Sequence, residues 1–276
     1  MFASKTILLS VLTLNIWGLP GGKQLGLAPF KESRVQGICR ELKKGQWDAI
    51  FLQEAWQKED RQFLKTCGYP YSLDSNDPRL AIDSGLLILS RYPLHKAQRL
   101  TYPPLDLDAS VLEEGEALAR KSADLVQMEH PEAGPVWLAN THLVSYYGEG
   151  VLDKYLEVRR QQFVSFVDWV HQNVQGRPVV VGGDWNFGSH NPEIWKEKEA
   201  GLLGFQASKE SEEYSTLSKD NVFQKEDQGR VDHLFASSHF EPNKGSLAMH
   251  ERIPLWAVDI NLSDHFGWTE EFLLKP

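Results

Sequence analysis

Several apolar runs along this chain of 276 residues end in a polar side chain of a type that binds metals or takes part in catalysis. Four such runs end at Asn15, Glu54, His142 and Asp184, the last followed by Asn186. Two short motifs near the C-terminus carry further candidates, Arg230-Val-Asp-His233 and Ser263-Asp-His265. Because ligand sites of open α/β sheets gather beyond the strand ends, we expect these groups to share one edge.

Glu54 and Asn15 offer hard oxygen atoms of the kind that Mg²⁺ prefers. Mg²⁺ keeps several waters and binds through one or two carboxylates together with a substrate phosphate, so few protein ligands suffice. Glutamate is also a poor turn residue, so Glu54 is harder to explain as a local turn-former than Asn15 or Asp184. These observations predict a magnesium site beside Glu54.

His142 and Asn186 can donate hydrogen bonds to phosphate oxygens, where charge develops during the reaction. Asp184, Asp232 and His265 can supply a general base and the group that orients it. Taken singly, each has an ordinary alternative, because an aspartate after a strand is often a turn-former and a histidine can be a satisfied half-buried residue. Together they predict metal-assisted attack of water on a phosphate ester.

Short apolar runs alternate with helical patterns along the chain. Strands are predicted over 7–15, 48–54, 85–91, 117–129, 136–143, 178–182, 231–236, 257–262 and 268–274. Helices are predicted over 30–44, 58–66 and 153–174, the last with a continuous apolar stripe. Residues 102–116 and 206–230 are polar or irregular and predict long surface loops. This order predicts a mixed α/β fold with helices outside the sheets.

The composition is that of a folded globular protein, with 41% hydrophobic and 24% charged residues, and it excludes a disordered chain. Lysine and arginine number 29 against 38 acidic residues, a net charge of −9. That charge argues against a protein that coats nucleic acid, but it is compatible with one phosphate bound at a metal ion.

The two cysteines, Cys39 and Cys67, form neither a disulfide framework nor a zinc-ligand spacing. Whether they pair is left open by the sequence, and we favour their interpretation as two inert thiols. The sequence contains no run of 18 or more apolar residues, so it predicts no membrane span. Residues 6–14 could pass for the core of a signal peptide, but no small-residue cleavage site follows, so we interpret 7–15 as the first strand. We therefore expect no signal peptide and a location that is cytoplasmic or peripheral to a membrane.

The motifs, taken in order, resemble those of the endonuclease/exonuclease/phosphatase superfamily, which includes DNase I-like nucleases, inositol phosphatases and Mg²⁺-dependent sphingomyelinases. The matching segments are Leu12-Thr-Leu-Asn15, Leu52-Gln-Glu54, Thr141-His142, Gly183-Asp-Trp-Asn186, Arg230-Val-Asp232 and Ser263-Asp-His265. Each is short, but the six occur in the same order as in the superfamily and span almost the whole chain. The resemblance implies a single catalytic domain over residues 1–276, folded as a four-layer α/β/β/α sandwich of two central mixed sheets flanked by helices.

Within the superfamily the chain is most similar to the neutral sphingomyelinases. Asn15-Ile-Trp-Gly-Leu-Pro20 resembles the start typical of that branch, and 83–93 resembles its Ser-Gly-Leu stretch. The spacing of Tyr155 and Arg159 also resembles the pattern of that branch, and Lys121 lies where the branch has a lysine near the phosphate. This resemblance implies a Mg²⁺-dependent phosphodiesterase that cleaves sphingomyelin to ceramide and phosphocholine at a membrane surface.

The resemblance also implies a role for each candidate. Glu54 would be the principal Mg²⁺ ligand, with Asn15 as its partner and Asp264 supporting the metal. His142 and Asn186 would hold the phosphate. Two groups remain open as the base that activates water: Asp184, and His265 oriented by Asp232.

Aromatic residues are candidates for contact with a choline head group. Tyr146, Tyr147 and Trp256 could make a cation–π contact, although ordinary surface aromatics are the commoner case. Trp185 alternates with Asp184 and Asn186 and is expected in the core. The alternatives on the same scaffold are a nuclease, a phosphatase acting on a soluble ester such as an inositol phosphate, and a non-catalytic binding module. The acidic charge argues against the nuclease.

Overall fold

The computed structural model describes residues 7–19, 28–80, 82–104, 119–145, 155–188, 204–208 and 214–275. The helices in these ranges are α1 (Lys31–Lys44), α2 (Lys58–Leu64) and α3 (Leu156–Val174). The strands of the first half are β1 (Leu8–Asn15), β2 (Ala49–Gln53), β3 (Tyr71–Leu73), β4 (Leu87–Ser90), β5 (Leu94–Thr101), β6 (Ser122–His130) and β7 (Gly134–His142). Those of the second half are β8 (Val179–Asp184), β9 (Phe205–Gln206), β10 (Asp232–Ser237), β11 (Phe240–Ala248), β12 (Arg252–Leu255), β13 (Val258–Asn261) and β14 (Gly267–Leu274).

The strands form two six-stranded mixed sheets and a separate hairpin. The first sheet has the order β11-β14-β1-β2-β4-β3, the second has the order β5-β6-β7-β8-β10-β9, and β12 pairs with β13. Each sheet contains one parallel pair, β1 with β2 and β7 with β8. The register places His142 opposite Asp184, which in turn lies opposite Asp232 of β10. Three predicted site residues therefore lie side by side at one edge of this sheet, where β7 and β8 end and β10 begins.

Three apolar clusters separate the layers. The central cluster joins the sheets, with Leu9 and Val11 of β1 on one side and Val180 of β8 on the other. A second cluster packs α1 and α2 against the first sheet, and a third packs α3 against the second sheet. This arrangement is the four-layer α/β/β/α sandwich that the sequence resemblance implied, and that prediction is confirmed.

The sequence patterns missed several strands. β5, β11 and β12 were not predicted, because β5 is mostly exposed and rich in charged residues while β11 and β12 contain proline. Proline and polar residues are depleted from strands in general, so only pairing with a neighbour makes these segments extended. The strand expected over 117–129 begins at Ser122, and most of the loop expected over 102–116 lies outside the described residues.

The expectation that Cys39 and Cys67 are inert thiols was wrong. The two residues form a disulfide with Cα atoms 5.2 Å apart. Cys39 lies on the buried face of α1, and Cys67 follows α2, which packs beside α1. The pairing depends on how the two helices meet and is invisible in the sequence spacing. Within the described ranges, no helix is long and apolar enough to cross a membrane.

Candidate active site

The site begins with sharp turns at the ends of strands. Glu54 directly follows β2 with a φ of 56°, and Asn186 follows β8 with a φ of 53°. Such left-handed conformations are uncommon for residues with a side chain and concentrate at functional sites. Gly18 lies against the same turn, where an added Cβ would come 2.3 Å from the Glu54 carbonyl oxygen. The Trp-Gly motif thus has a steric reason, because only glycine allows this close approach.

Asn15 joins the carboxylates of the two sheets. Its side-chain nitrogen donates to Glu54 Oε1 at 3.1 Å and to Asp184 Oδ2 at 2.9 Å. Its side-chain oxygen accepts from the Trp17 backbone nitrogen at 2.9 Å. The structure therefore brings together three of the four strand-end residues that the sequence singled out, with the Asn15 amide between the carboxylates of Glu54 and Asp184.

Glu54 carries an unused acceptor. Its Oε2 atom is shielded from solvent and has no hydrogen-bond partner among the described residues. Burial and the nearby Asp264 carboxylate raise the pKa of Glu54 to about 7, and burial also raises the pKa of Asp264. Two carboxylates held close together without enough donors favour a bound cation.

His265 and Asp232 form a hydrogen-bonded pair in the interior. His265 Nδ1 lies 2.8 Å from Asp232 Oδ2, and both residues are buried. Burial alone would lower the pKa of His265, but the charge and hydrogen bond of Asp232 hold it well above its usual range. The Asp232 contact occupies Nδ1 and leaves Nε2 facing Asp184. This is the geometry expected of a histidine oriented by a carboxylate.

Asp184 Oδ2 is the atom at which the site converges. It lies 2.9 Å from Asn15 Nδ2, 3.5 Å from His142 Nε2 and 3.9 Å from His265 Nε2. The other oxygen, Oδ1, accepts from the Asn186 backbone nitrogen at 2.9 Å. Burial and the neighbouring Asp232 charge raise the pKa of Asp184 to about 6. A carboxylate with such a pKa is suited to exchange protons near neutral pH.

Lys121 lies against His142. Its ammonium nitrogen is 2.9 Å from His142 Nε2 and donates to the Leu143 carbonyl oxygen at 3.1 Å. Burial and the Lys121 charge hold the pKa of His142 well below its usual range, so the imidazole is neutral. Asn186 donates its side-chain amide to the same Leu143 carbonyl at 3.0 Å. The structure thus gathers the residues expected to contact phosphate, and their role toward a phosphate stays a prediction.

Two places in the site could hold a metal ion. Asp184, Asp232 and His265 offer ligand atoms that all lie within 4.8 Å of one another. In that group Asp232 Oδ2 and His265 Nδ1 hydrogen bond to each other, while Asp232 Oδ1, like Glu54 Oε2, is shielded and has no hydrogen-bond partner among the described residues. Magnesium prefers oxygen ligands to imidazole nitrogen. Because the Glu54 side offers the carboxylates of Glu54 and Asp264, its donor set fits magnesium better.

Arg34 was missed by the sequence reasoning. It is fully buried in α1 and donates to the carbonyl oxygens of Ile16, Trp17 and Leu262 at 2.9, 2.8 and 3.2 Å. Its guanidinium thereby ties the end of β1 to the segment that leads into Ser263-Asp-His265. The available signal was a basic residue four positions before Ile38, on the apolar face of a predicted helix.

Gln53 and Asn140 connect the two sheets beneath the site. Gln53 Nε2 donates to Asn140 Oδ1 at 2.7 Å, and Asn140 Nδ2 donates to the Leu52 carbonyl at 3.1 Å. Both residues are fully buried; Gln53 directly precedes Glu54, and Asn140 lies two residues before His142. Polar residues inside otherwise apolar strands were the signal that the sequence reasoning did not use.

The aromatic candidates separate clearly. Trp185 is fully buried in the cluster under α3, which confirms its prediction as a core residue. Trp256 is 91% exposed at the turn between β12 and β13, where its ring meets the edge of Phe30. Tyr146 and Tyr147 lie outside the described residues.

The sequence pattern of one known family covers nearly the whole chain. The model described as the Endonuclease/Exonuclease/phosphatase family matches residues 12–265, from the last part of β1 to His265. The chain belongs to this family. The match contains every element of the site described above, so the superfamily resemblance is confirmed.

Two curated relatives act on sphingolipids according to their names. The chain is 28% identical over 190 residues to inositol phosphosphingolipids phospholipase C of Schizosaccharomyces pombe, which covers 67% of this chain and 43% of that protein. It is 25% identical over 180 residues to sphingomyelin phosphodiesterase 2 of Homo sapiens, which covers 64% of this chain and 41% of that protein. The matched region spans less than half of either relative.

Solved structures share the fold at low identity. Sphingomyelinase C from Streptomyces griseocarneus superposes with a TM-score of 0.72 at 17% identity, covering 96% of this chain and 99% of that one. A beta toxin variant from Staphylococcus aureus with bound magnesium ions gives 0.70 at 17% identity, covering 95% and 98%. At this identity the two structures establish the fold.

Proposed function

We propose that this chain is a Mg²⁺-dependent phosphoric diester hydrolase that cleaves a sphingolipid, with sphingomyelin as the favoured substrate and ceramide and phosphocholine as products. Residues 1–276 would act as one catalytic domain. The observation that carries the proposal is the convergence of Asn15, His142 and His265 on Asp184 Oδ2, beside a Glu54 oxygen that has no hydrogen-bond partner among the described residues. Membership of the family and the sphingolipid-cleaving relatives support it.

Glu54 would hold the magnesium ion, with Asp264 as the second carboxylate and Asn15 as the partner that aligns Glu54 with Asp184. Bound there, Mg²⁺ supplies Lewis-acid polarisation of a phosphoryl oxygen and neutralises developing charge. Two observations support this assignment: Glu54 Oε2 has no hydrogen-bond partner among the described residues, and the pKa values of both carboxyl groups are raised.

The remaining residues would bind the phosphate and handle the proton of the attacking water. Asp184 Oδ2 and His265 Nε2, 3.9 Å apart, are the two candidate groups for this proton. His265 can accept it only in its neutral form, whereas its raised pKa favours the protonated form. Asp232 holds His265 in its orientation by accepting from Nδ1. His142, Asn186 and Lys121 lie on the other side of Asp184 and would contact the phosphate oxygens.

A lipid head group suits this charge distribution better than nucleic acid does. The net charge is −9, whereas binding of a duplex requires a basic face to neutralise several phosphates. A single phosphate can be balanced locally by a cation and Lys121. Trp256 projects from a hairpin that leads within four residues to Ser263-Asp-His265, and exposed tryptophan is suited to the interface of a bilayer. Tyr146 and Tyr147 remain candidate contacts for the choline group.

The test compares substrates in one enzyme preparation. Micelles of sphingomyelin, an inositol phosphosphingolipid, free inositol phosphates and plasmid DNA would be assayed with Mg²⁺ and with EDTA over a range of salt. We expect phosphocholine release that EDTA abolishes, and little nicking of DNA. Robust DNA cleavage without phosphocholine release would overturn the lipid assignment. Hydrolysis of inositol phosphates alone would redirect the proposal to a phosphatase on the same scaffold.

A further inference from the structure

Thr216 connects the two members of the Asp232–His265 pair although it belongs to a segment without regular structure. Its side-chain Oγ1 accepts from the backbone nitrogens of Val231 at 3.1 Å and Asp232 at 3.4 Å. Its carbonyl oxygen accepts from the Phe266 backbone nitrogen at 2.8 Å. Thr216 is fully buried. One residue therefore holds the backbone at Asp232 and the backbone next to His265.

The topology of the second sheet explains why β10 needs this support. β9 pairs only with Ala236 and Ser237, at the far end of β10. Near Asp232 the described strands include no partner on that side, and buried backbone N–H groups without partners are costly. The Thr216 hydroxyl takes the place of a strand there, because it satisfies the N–H groups at the start of β10.

The residues that follow Thr216 hold the same catalytic segment. Asn221 donates its side-chain amide to the Ser263 carbonyl at 2.9 Å, and Gln224 donates to the Asp264 carbonyl at 3.0 Å. The segment from Thr216 to Gln224 thus binds the backbone of three of the four residues between Ser263 and Phe266. Thr216 also binds, through its side chain, the start of the strand that carries Asp232.

We infer that Thr216 is a positioning residue, which sets the distance and orientation of Asp232 relative to His265 for the hydrolysis proposed above. The inference rests on that proposed function for its effect on turnover, but the geometry it describes exists without substrate. The hydroxyl is the specific requirement. Thr216→Val keeps the shape and β-branching of the side chain and removes the acceptor, whereas Thr216→Ser keeps the acceptor.

The first experiment measures steady-state hydrolysis of sphingomyelin and of bis(p-nitrophenyl) phosphate, a small phosphodiester that does not depend on the lipid assignment. We expect Thr216→Val to lower kcat about tenfold with KM within about twofold, because small displacements of catalytic groups slow the chemical step. Thr216→Ser should restore kcat to within about twofold of the wild-type value. Thr269→Val is the matched control, since Thr269 binds Val11 and Trp47 away from the site.

A second measurement tests the position of His265 without any turnover. In protein labelled with ¹⁵N-histidine, the Nδ1–H signal of His265 would be assigned by its loss in His265→Gln. We expect Thr216→Val to shift or broaden this signal, and Thr216→Ser and Thr269→Val to leave it unchanged. An unchanged signal in a folded Thr216→Val protein would overturn the inference, even if the wild-type protein hydrolysed neither substrate.

A third measurement separates positioning from general weakening of the fold. In an Asp232→Asn background, Thr216→Val should lower kcat by no more than about twofold, because residues that act through one another are not additive. A full further tenfold loss would show that Thr216 acts independently of Asp232 and would also overturn the inference.

Discussion

The two sides of the site satisfy their polar groups in different ways. On the carboxylate side, formed by Glu54 and Asp264, one oxygen of Glu54 is shielded without a partner among the described residues, and both carboxyl pKa values are raised. On the imidazole side, formed by Asp232 and His265, the two residues hydrogen bond directly to each other, although Asp232 Oδ1 also has no partner among the described residues. The histidine is therefore oriented by a direct hydrogen bond within the protein, whereas no described residue donates to Glu54 Oε2.

We interpret this difference as two separate roles: the protein orients the histidine, and the proposed cation completes the carboxylate side. Hydrogen bonds within the protein orient a group before substrate arrives, so the imidazole side is preorganised. A buried carboxylate without donors is destabilised in its charged form, and that destabilisation is relieved when a cation binds. Substitution of Glu54 or of His265 therefore changes one side and leaves the other intact.

Substitution of Glu54 should remove the metal-dependent reaction. Glu54→Gln removes the charge that the carboxylate side offers to Mg²⁺, and we expect hydrolysis to fall by about 10³-fold, toward the rate in EDTA. Isothermal calorimetry should show no Mg²⁺ binding, whereas Glu157→Gln on the exposed face of α3 should bind as the wild type does. Unchanged Mg²⁺ affinity in Glu54→Gln would remove Glu54 from the metal site.

Loss of the imidazole should slow turnover without affecting the metal. His265→Ala should lower kcat by about 10²–10⁴-fold with little change in KM, the usual size of a general acid–base contribution. The variant should bind Mg²⁺ with wild-type affinity, and His95→Ala on the exposed strand β5 should be fully active. Near-full turnover in His265→Ala would exclude the histidine from the chemistry and leave Asp184 as the base.

The disulfide braces the helices behind the carboxylate side. Replacing Cys39 and Cys67 together by serine opens a link between residues 28 apart and should lower the free energy of unfolding by about 3 kcal/mol. Urea denaturation would measure this loss, and kcat should stay within about twofold of the wild-type value because Cys39 and Cys67 lie in the apolar cluster between the helices and the first sheet. A large fall in kcat with an intact fold would instead connect the disulfide to the site.

The stability of the metal-free protein should depend on pH through Glu54. Its pKa is about 7 in the folded protein against 4.5 ordinarily, so the folded state holds the proton more tightly than the unfolded state does. The resulting stabilisation is complete below pH 4.5 and is lost as the pH rises through 7. Because the Glu54 side chain is only partly buried, we expect this contribution to the free energy of unfolding to be about 2 kcal/mol.

Urea titrations in EDTA between pH 5 and pH 8 would measure this loss. Mg²⁺ should restore stability at pH 8, and Glu54→Gln should remove both the contribution of this residue to the pH dependence and the response to Mg²⁺. A wild-type protein whose stability in EDTA is the same at both pH values would contradict the raised pKa.

The pair that joins the two sheets should give the smallest effect. Gln53 and Asn140 hydrogen bond beneath the site, so Gln53→Met and Asn140→Leu should each destabilise the protein. The double variant should be less destabilised than the sum by about 1 kcal/mol, because the single variants each leave a buried polar group unpaired. Strict additivity would show that the bond contributes nothing to holding the sheets in register.

Much of the fold could be predicted because its central strands are strongly apolar. The runs that became β2 and β8 are buried from end to end, β1 is buried from Val11 onward, and the interpretation of all three as strands was correct. The edge strands β5 and β11 escaped prediction because their residues are suited to solvent and only pairing makes them extended. Arg34 and Thr216 were not predicted because their side chains bind backbone atoms of distant segments, and the residue type alone does not indicate such contacts.

The sequence by itself determined which polar groups stand at the ends of buried strands, because hydrophobic runs and the residues that interrupt them are local properties of the chain. Only the tertiary structure decided which of these groups touch. Asn15 meets Asp184 across 169 residues, and Asp232 meets His265 across 33. Such contacts depend on the registers of two sheets and on how those sheets pack, which are set by the whole core and not by any segment of it.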